Sequence, residues 1–188
     1  MPPKFKFTRE EIVQSALNLT REKGIAAVTA RGLAEKLGCS VKPIFGLFQN
    51  MEEVHREIIA SANALFLRRM EETMASGAYP PYKASGMAYI LFAIEERELF
   101  RLLFMRDRSH EIVPVGFEEI KPIIKLIQAN LGLSEEEANL FHLEMWVYVH
   151  GIATMLATSY LNWDKALIEK TLTDAYEGLK FRFTGGKQ

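Results

Sequence analysis

Between Gly38 and Ser40 a single residue separates a helix stop from a helix start. Glycine closes a helix in the left-handed conformation, and serine is a preferred N-cap. Two helices joined that tightly present the second to something outside. Upstream, Thr8 followed by Glu11 reads as a capping box. Ile12, Ala16 and Leu19 then recur at helical spacing, with Val13 and Leu17 beside them, and Gly24 ends this first helix behind Arg21 and Lys23. Thr29 caps a short second helix whose Leu33, Ala34 and Leu37 face inward. Ser40 is expected to cap the third, which tolerates Pro43 because first-turn residues need no intrahelical N–H partner. On that helix Val41, Ile44 and Phe48 follow 3-4 spacing and are expected in the core. Lys42, Phe45, Gly46 and Gln49 are left on the other side.

The rest also reads as helix, with no alternating strand pattern and no internal repeat, so the predicted class is all-α. A long helix is expected from Met51 to about Ala75, broken by SGAYPPY. Further helices are expected over 81–96, 97–106, 115–131, 134–161 and 164–182, with breaks at DRSHEIVP, LGLS and NWD. A hydrophobic content of 48% supports a core, and a net charge of −1 excludes wholesale coating of nucleic acid. The charge is uneven: residues 1–56 carry +3 and residues 57–188 carry −4, a basic front on an acidic body. Met145 to Trp163 contains no Asp, Glu, Lys or Arg. His150, Gly151, Thr154, Thr158, Ser159 and Asn162 interrupt it and no basic flanks orient it, so a buried helix is expected, with no membrane partner. The one cysteine, Cys39, has no internal disulfide partner, and MPPKFKF carries no signal core; a reducing cytoplasm is the expected setting.

Three short helices with a tight turn between the second and third make a helix-turn-helix. In such a motif helix 2 crosses the phosphate backbone and helix 3 offers its first residues to base edges in the major groove. The start of helix 2 at Thr29 suits a phosphate, and Arg31 and Lys42 add charge. The stretch from Thr8 to Ile59 resembles the DNA-binding domain of TetR-type transcriptional regulators. The likeness rests on several features in register: Gly24 to Thr29, Leu33–Ala34, Gly38 to Ser40, Ile44–Phe45 and Phe48. ERELFRLLFMRDRS is similar to a ligand-domain segment of some members. The resemblance implies an all-α homodimer on a palindromic double-stranded DNA operator, usually a repressor released by a small molecule. It implies a DNA-binding domain over residues 1–50, with its motif at about 29–48, and an effector-binding and dimerisation domain over 51–188. It assigns DNA contact to Thr29, Ala30, Arg31, Ser40, Val41, Lys42, Pro43, Phe45, Gly46 and Met51. Three of these depart from the family pattern. Where the family usually has a phosphate-bonding Tyr this chain has Phe45, a loss of about 1 kcal/mol. Met51 stands for a usual Lys, which removes one phosphate contact. Gly46 within a helix costs roughly another 1 kcal/mol. Phe45 and Pro43 have the right chemistry for thymine methyl groups.

In the larger domain, helices 134–161 and 164–182 are the expected dimer elements, forming a four-helix interface about a two-fold axis. Gly151, Ala153, Ala157, Leu172, Ala175 and Leu179 are the candidate interface residues. Tyr89, Phe92, Phe100, Phe104, Met145, Tyr148 and Met155, with Met105 and Trp146 nearby, are the candidate walls of a pocket for an apolar or aromatic effector. The same residues equally fit a plain core, and His142 and His150 fit satisfied core histidines better than ligand-binding ones. No cofactor, metal or catalytic function is expected. Cys39 has no arranged His, four histidines and one cysteine make no zinc set, and the one E-x-x-H, Glu52 to His55, is half of what a di-iron bundle needs. Arg97, Arg101, Arg106 and Arg108 read as a solvated face. Two function classes stay open: a ligand-responsive regulator, and a dimeric helical module that binds ligand or protein without DNA. Activation in place of repression also stays open.

Overall fold

The computed structural model describes residues 7–107 and 120–185. Among these residues there are nine α-helices and no strand: α1 (Arg9–Lys23), α2 (Ala30–Leu37), α3 (Lys42–Phe45), α4 (Met51–Ala75), α5 (Pro81–Glu95), α6 (Arg97–Phe104), α7 (Lys121–Leu131), α8 (Glu135–Ala157) and α9 (Lys165–Thr184). The expected helix over 115–131 starts at Lys121 within the described residues, and 115–119 lie outside them. The helix expected to 161 stops at Ala157, where Thr158 caps it and Ser159 turns to positive φ. No helix of the described residues is long and apolar enough to cross a membrane.

Local chemistry explains the starts of α1, α2, α8 and α9. The Thr8 hydroxyl accepts from the Glu11 N–H at 3.1 Å, and the Glu11 carboxylate accepts from the Thr8 N–H at 2.8 Å. Ser134 and Glu137 repeat this box at the start of α8, and the Asp164 carboxylate caps α9 through the Leu167 N–H. Thr29 caps α2 through the Gly32 N–H, and Gly38 closes it at φ 61°, as the sequence predicts. Helix α3 departs from expectation. It starts at Lys42 with Val41 as its cap, and no side chain bonds its N-terminus. A serine cap bonds the N–H two or three residues on. The third residue after Ser40 is Pro43, which has no N–H to offer.

The chain forms two compact units. The first holds residues 7–68 and Glu96–Arg106, and the second holds Arg69–Glu95, 107 and 120–185. Compactness therefore does not divide at residue 50: most of α4 and all of α6 join the first unit. Its core combines Ile12, Ala16 and Leu19 of α1, Leu33 of α2, Ile44 of α3, Phe48, Val54 and Ile58 of α4, and Leu99 and Phe100 of α6. The Phe100 and Phe104 rings lie 5.1 Å apart, tilted at 46°, and Phe104 meets Phe66 edge-on at the same distance. In the second unit α5 lies chiefly on α8, and α7 and α9 flank α8. Phe141 is at its centre, with Tyr82, Tyr176 and Phe183 around it.

Gly32 is a packing requirement that composition does not announce. An added Cβ would stand 2.5 Å from the Ala27 carbonyl oxygen, in the 3-10 turn Ile25–Ala27 that links α1 to α2. Alanine gains about 1 kcal/mol in helix propensity, but overpacking against backbone costs about 1–3 kcal/mol. Gly32→Ala is expected to be a net destabilisation of about 1 kcal/mol, read as a lower midpoint in urea.

Candidate nucleic-acid interface

The tight joint is held from behind by contacts of Arg9 and His55. Arg9 of α1 donates to the Leu47 carbonyl at 2.9 Å and to Glu53 and Glu57 of α4 at 2.7 Å each. Its guanidinium also lies 4.2 Å from the centre of the Phe48 ring. One side chain thus fixes the exit of α3 against α1 and α4. The backbone N–H of Gln49, together with Arg9, holds the Glu53 carboxyl below its usual range, and the two glutamates raise Arg9. His55 Nε2 donates to the Val28 carbonyl at 2.9 Å, tying α4 to the segment before α2. Glu52, its partner in the E-x-x-H spacing, pairs with Arg56 at 3.5 Å.

With its back held, the motif turns a consistent face outward. Ile44 and Phe48 are buried, and Lys42, Phe45, Gly46 and Gln49 are exposed. Phe45 keeps 46% of its surface open to solvent. Thr29, Arg31 and Ser40 are exposed beside them, whereas Ala30, Pro43 and Met51 are half-buried. Val41, expected in the core, is only half-buried, because α3 begins one residue later than expected and leaves it at the cap. Of the ten predicted contact residues six are exposed, and Ala30, Val41, Pro43 and Met51 are half-buried.

Two further contacts tie α6 into the same unit. Arg21 of α1 and Glu96, at the N-cap of α6, form a two-pronged ion pair with both bonds at 2.8 Å. A Cβ on Gly24, whose φ is 77°, would come within 3.0 Å of the Glu98 carboxylate. Sequence reading misses Arg9, Arg21 and Glu96, because their partners lie 38 to 75 residues away.

The predicted pocket walls are drawn from both units. Phe100 and Phe104 belong to the first unit, where Phe100 is fully buried in the core. Tyr89, Phe92, Met145, Tyr148 and Met155 belong to the second, where Phe92 and Met145 are buried, Met155 is half-buried and Tyr148 is exposed. Two tyrosine–histidine hydrogen bonds join α5 to α8: Tyr82 to His142 Nδ1 at 3.2 Å and Tyr89 to His150 Nδ1 at 2.9 Å. Trp146 stacks on His150 with ring centres 5.1 Å apart. Burial raises both phenols and lowers both imidazoles.

A histidine whose folded pKa is lowered binds its proton more readily when unfolded. Its contribution is complete above the unfolded value near 6.5 and is lost as pH falls below it. The melting temperature is therefore expected to fall between about pH 7 and pH 5. A His142→Gln, His150→Gln double variant is expected to flatten that profile. Glu53 and Glu137, whose pKa values are lowered, act in a separate window at more acidic pH.

The predicted dimer residues need correction. Ala153 and Ala157 are fully buried inside the protomer and Leu172 is 3% exposed, so they have no surface to offer a partner. Ala175 and Leu179 pack half-buried against the Phe141 core. A Cβ added at Gly151 would meet nothing within 4 Å. The exposed apolar residues of α8 are Leu140, Leu143, Trp146, Val147 and Tyr148, with Leu167 and Phe181 exposed on α9.

The described residues define an all-α protein of two helical units, the first of which contains α1 to α3 joined as a helix-turn-helix. Residues 82–176, half of the chain, match the tetracyclin repressor-like C-terminal domain, and the chain belongs to that family. No curated protein matches it. The matched stretch runs from α5 into α9 and so includes α6, which is built into the first compact unit.

Proposed function

We propose that this chain is a sequence-specific DNA-binding transcriptional regulator, a homodimer that represses from a palindromic operator and is released by a small-molecule effector. The observation that carries the reading is the outward face of the joint. Thr29, Arg31, Ser40, Lys42, Phe45 and Gly46 are open to solvent while Ile44 and Phe48 anchor α3 from behind. The motif can enter a major groove without disturbing its own core. Residues 1–50 do the reading, and residues 51–188 dimerise and take the effector. The dimer surface is the exposed row Leu140, Leu143 and Val147 of α8, continued at 3-4-4 spacing by half-buried Gly151, with Leu167 and Phe181 of α9. The effector is apolar or aromatic, and the half-buried and exposed members of the wall set, Met155 and Tyr148, are its first candidates. Helix α4 begins at the reading motif and extends through 25 residues, which suits it to carry a tilt between effector and DNA.

Fluorescence anisotropy of the purified protein on the DNA flanking its own gene, across a salt series, tests the reading. Tight, competitor-resistant binding to a palindrome is expected, with log K falling steeply against log salt. Lys42→Ala is expected to weaken binding and reduce that slope by about one unit per protomer. Equal, weak binding to operator-flanking and random DNA would sink the proposal in favour of a helical module that binds ligand or protein without DNA. Phe45 and Met51, which replace usual phosphate contacts, are the residues that favour this second reading.

A further inference from the structure

We infer that the exposed edge of α3 discriminates bases mainly by the 5-methyl group of pyrimidines, with Phe45 as the principal reader and Pro43 beside it. This rests on the proposed DNA-binding function and deepens it. Direct readout in the major groove needs either forked hydrogen-bonding side chains or apolar contact with the thymine methyl, the one apolar group on a base edge there. Residues 40–49 contain no Arg and no Asn. Lys42 is the one charged donor on α3, and a flexible ammonium fits phosphate as readily as guanine. Gln49 lies four residues beyond the end of α3, past the Phe48 anchor. Asn50, the next amide side chain, is already used: its Oδ1 accepts from the Glu53 N–H at 2.9 Å. What α3 does offer outward is the Phe45 ring, 46% exposed, with half-buried Pro43 on the same turn and no side chain at Gly46. An aromatic ring held open to water on a one-turn helix, where Ile44 and Phe48 already satisfy the core, gains most from an apolar partner.

The test uses the full-length protein and the duplex it enriches from a random pool. That duplex is resynthesised with dU in place of dT at each position in turn, symmetrically in both half-sites, which deletes the methyl and leaves every hydrogen-bonding edge unchanged. At one or more positions facing α3, dU is expected to weaken binding about fourfold per methyl lost, and more than tenfold for the symmetric pair. At the same positions 5-methylcytosine is expected to bind more tightly than cytosine. Phe45→Ala is expected to bring the dT-to-dU ratio close to one without changing the melting temperature. Lys42→Ala is expected to leave the ratio intact while lowering the salt slope. Equal affinity for dT and dU at every position would overturn the inference and leave the regulator standing. A dU penalty that persists unchanged in Phe45→Ala would overturn the assignment to Phe45. A pool that yields no enriched duplex would overturn the DNA-binding reading and this inference with it.

Discussion

Phe100→Ala is expected to remove about 3–5 kcal/mol of stability, among the largest losses a single side chain can cause here. Phe100 has no exposed surface and is enclosed by the first-unit core, with Phe104 at 5.1 Å on its own helix. Truncation leaves a cavity between α6 and the three-helix segment α1–α3, and the surrounding helices cannot collapse far while the two-pronged Arg21–Glu96 pair holds α6 in place. For a unit of this size the melting temperature should fall by roughly 15 °C or more. The sequence permits Phe100 to be a pocket wall, and a wall residue behaves differently: trimming it changes effector affinity and leaves the melt nearly intact. A thermal melt of the Phe100→Ala protein therefore separates the two roles. A shift of only a degree or two would mean that α6 is not part of the first unit's core.

Phe141→Ala is expected to cost a similar amount, about 3–5 kcal/mol, in the second unit. Phe141 is fully buried at the crossing of α5, α8 and α9, and its ring meets Tyr176 and Phe183 edge-on, each at 5.5 Å, and Tyr82 at 6.1 Å. Such aromatic contacts add about 0.5–1.5 kcal/mol beyond the buried area. Its loss should loosen α9 first, because Tyr176 and Phe183 belong to that helix and rest on Phe141 from one side. Limited proteolysis should then cut within α9 at a temperature where the parent protein resists. If the urea midpoint moved while α9 stayed protected, the cavity would have been filled by α7, and the aromatic cluster would not be what holds α9.

Helix identity and helix ends were legible in the chain because they are local. Thr8 with Glu11, Ser134 with Glu137, and Thr29 with Gly32 bond across three residues, so spacing alone predicts them. The outward set on α3 was legible for the same reason, since Ile44 and Phe48 lie one turn apart. The misplaced cap at Ser40 was also a local matter, and Pro43 contained the reason. The dimer candidates were not legible in this way. Helix α8 is apolar around much of its circumference, so periodicity cannot say whether Ala153 and Ala157 or Leu143 and Val147 face inward.

The all-α class, the helix boundaries to within a few residues and the tight turn at Gly38 follow from hydrogen bonds and hydrophobic spacing over three or four positions, a range the chain itself spells out. Packing chose the inward face of α8, drew α6 and Phe100 into the first unit, and left no room for a Cβ at Gly32 beside the Ala27 carbonyl. It also brought Arg9 to Glu53 and Glu57, and Arg21 to Glu96, across 44 to 75 residues. No periodicity links residues that far apart; they meet because burying the apolar faces of α1, α4 and α6 in one core leaves those charges as neighbours at its rim.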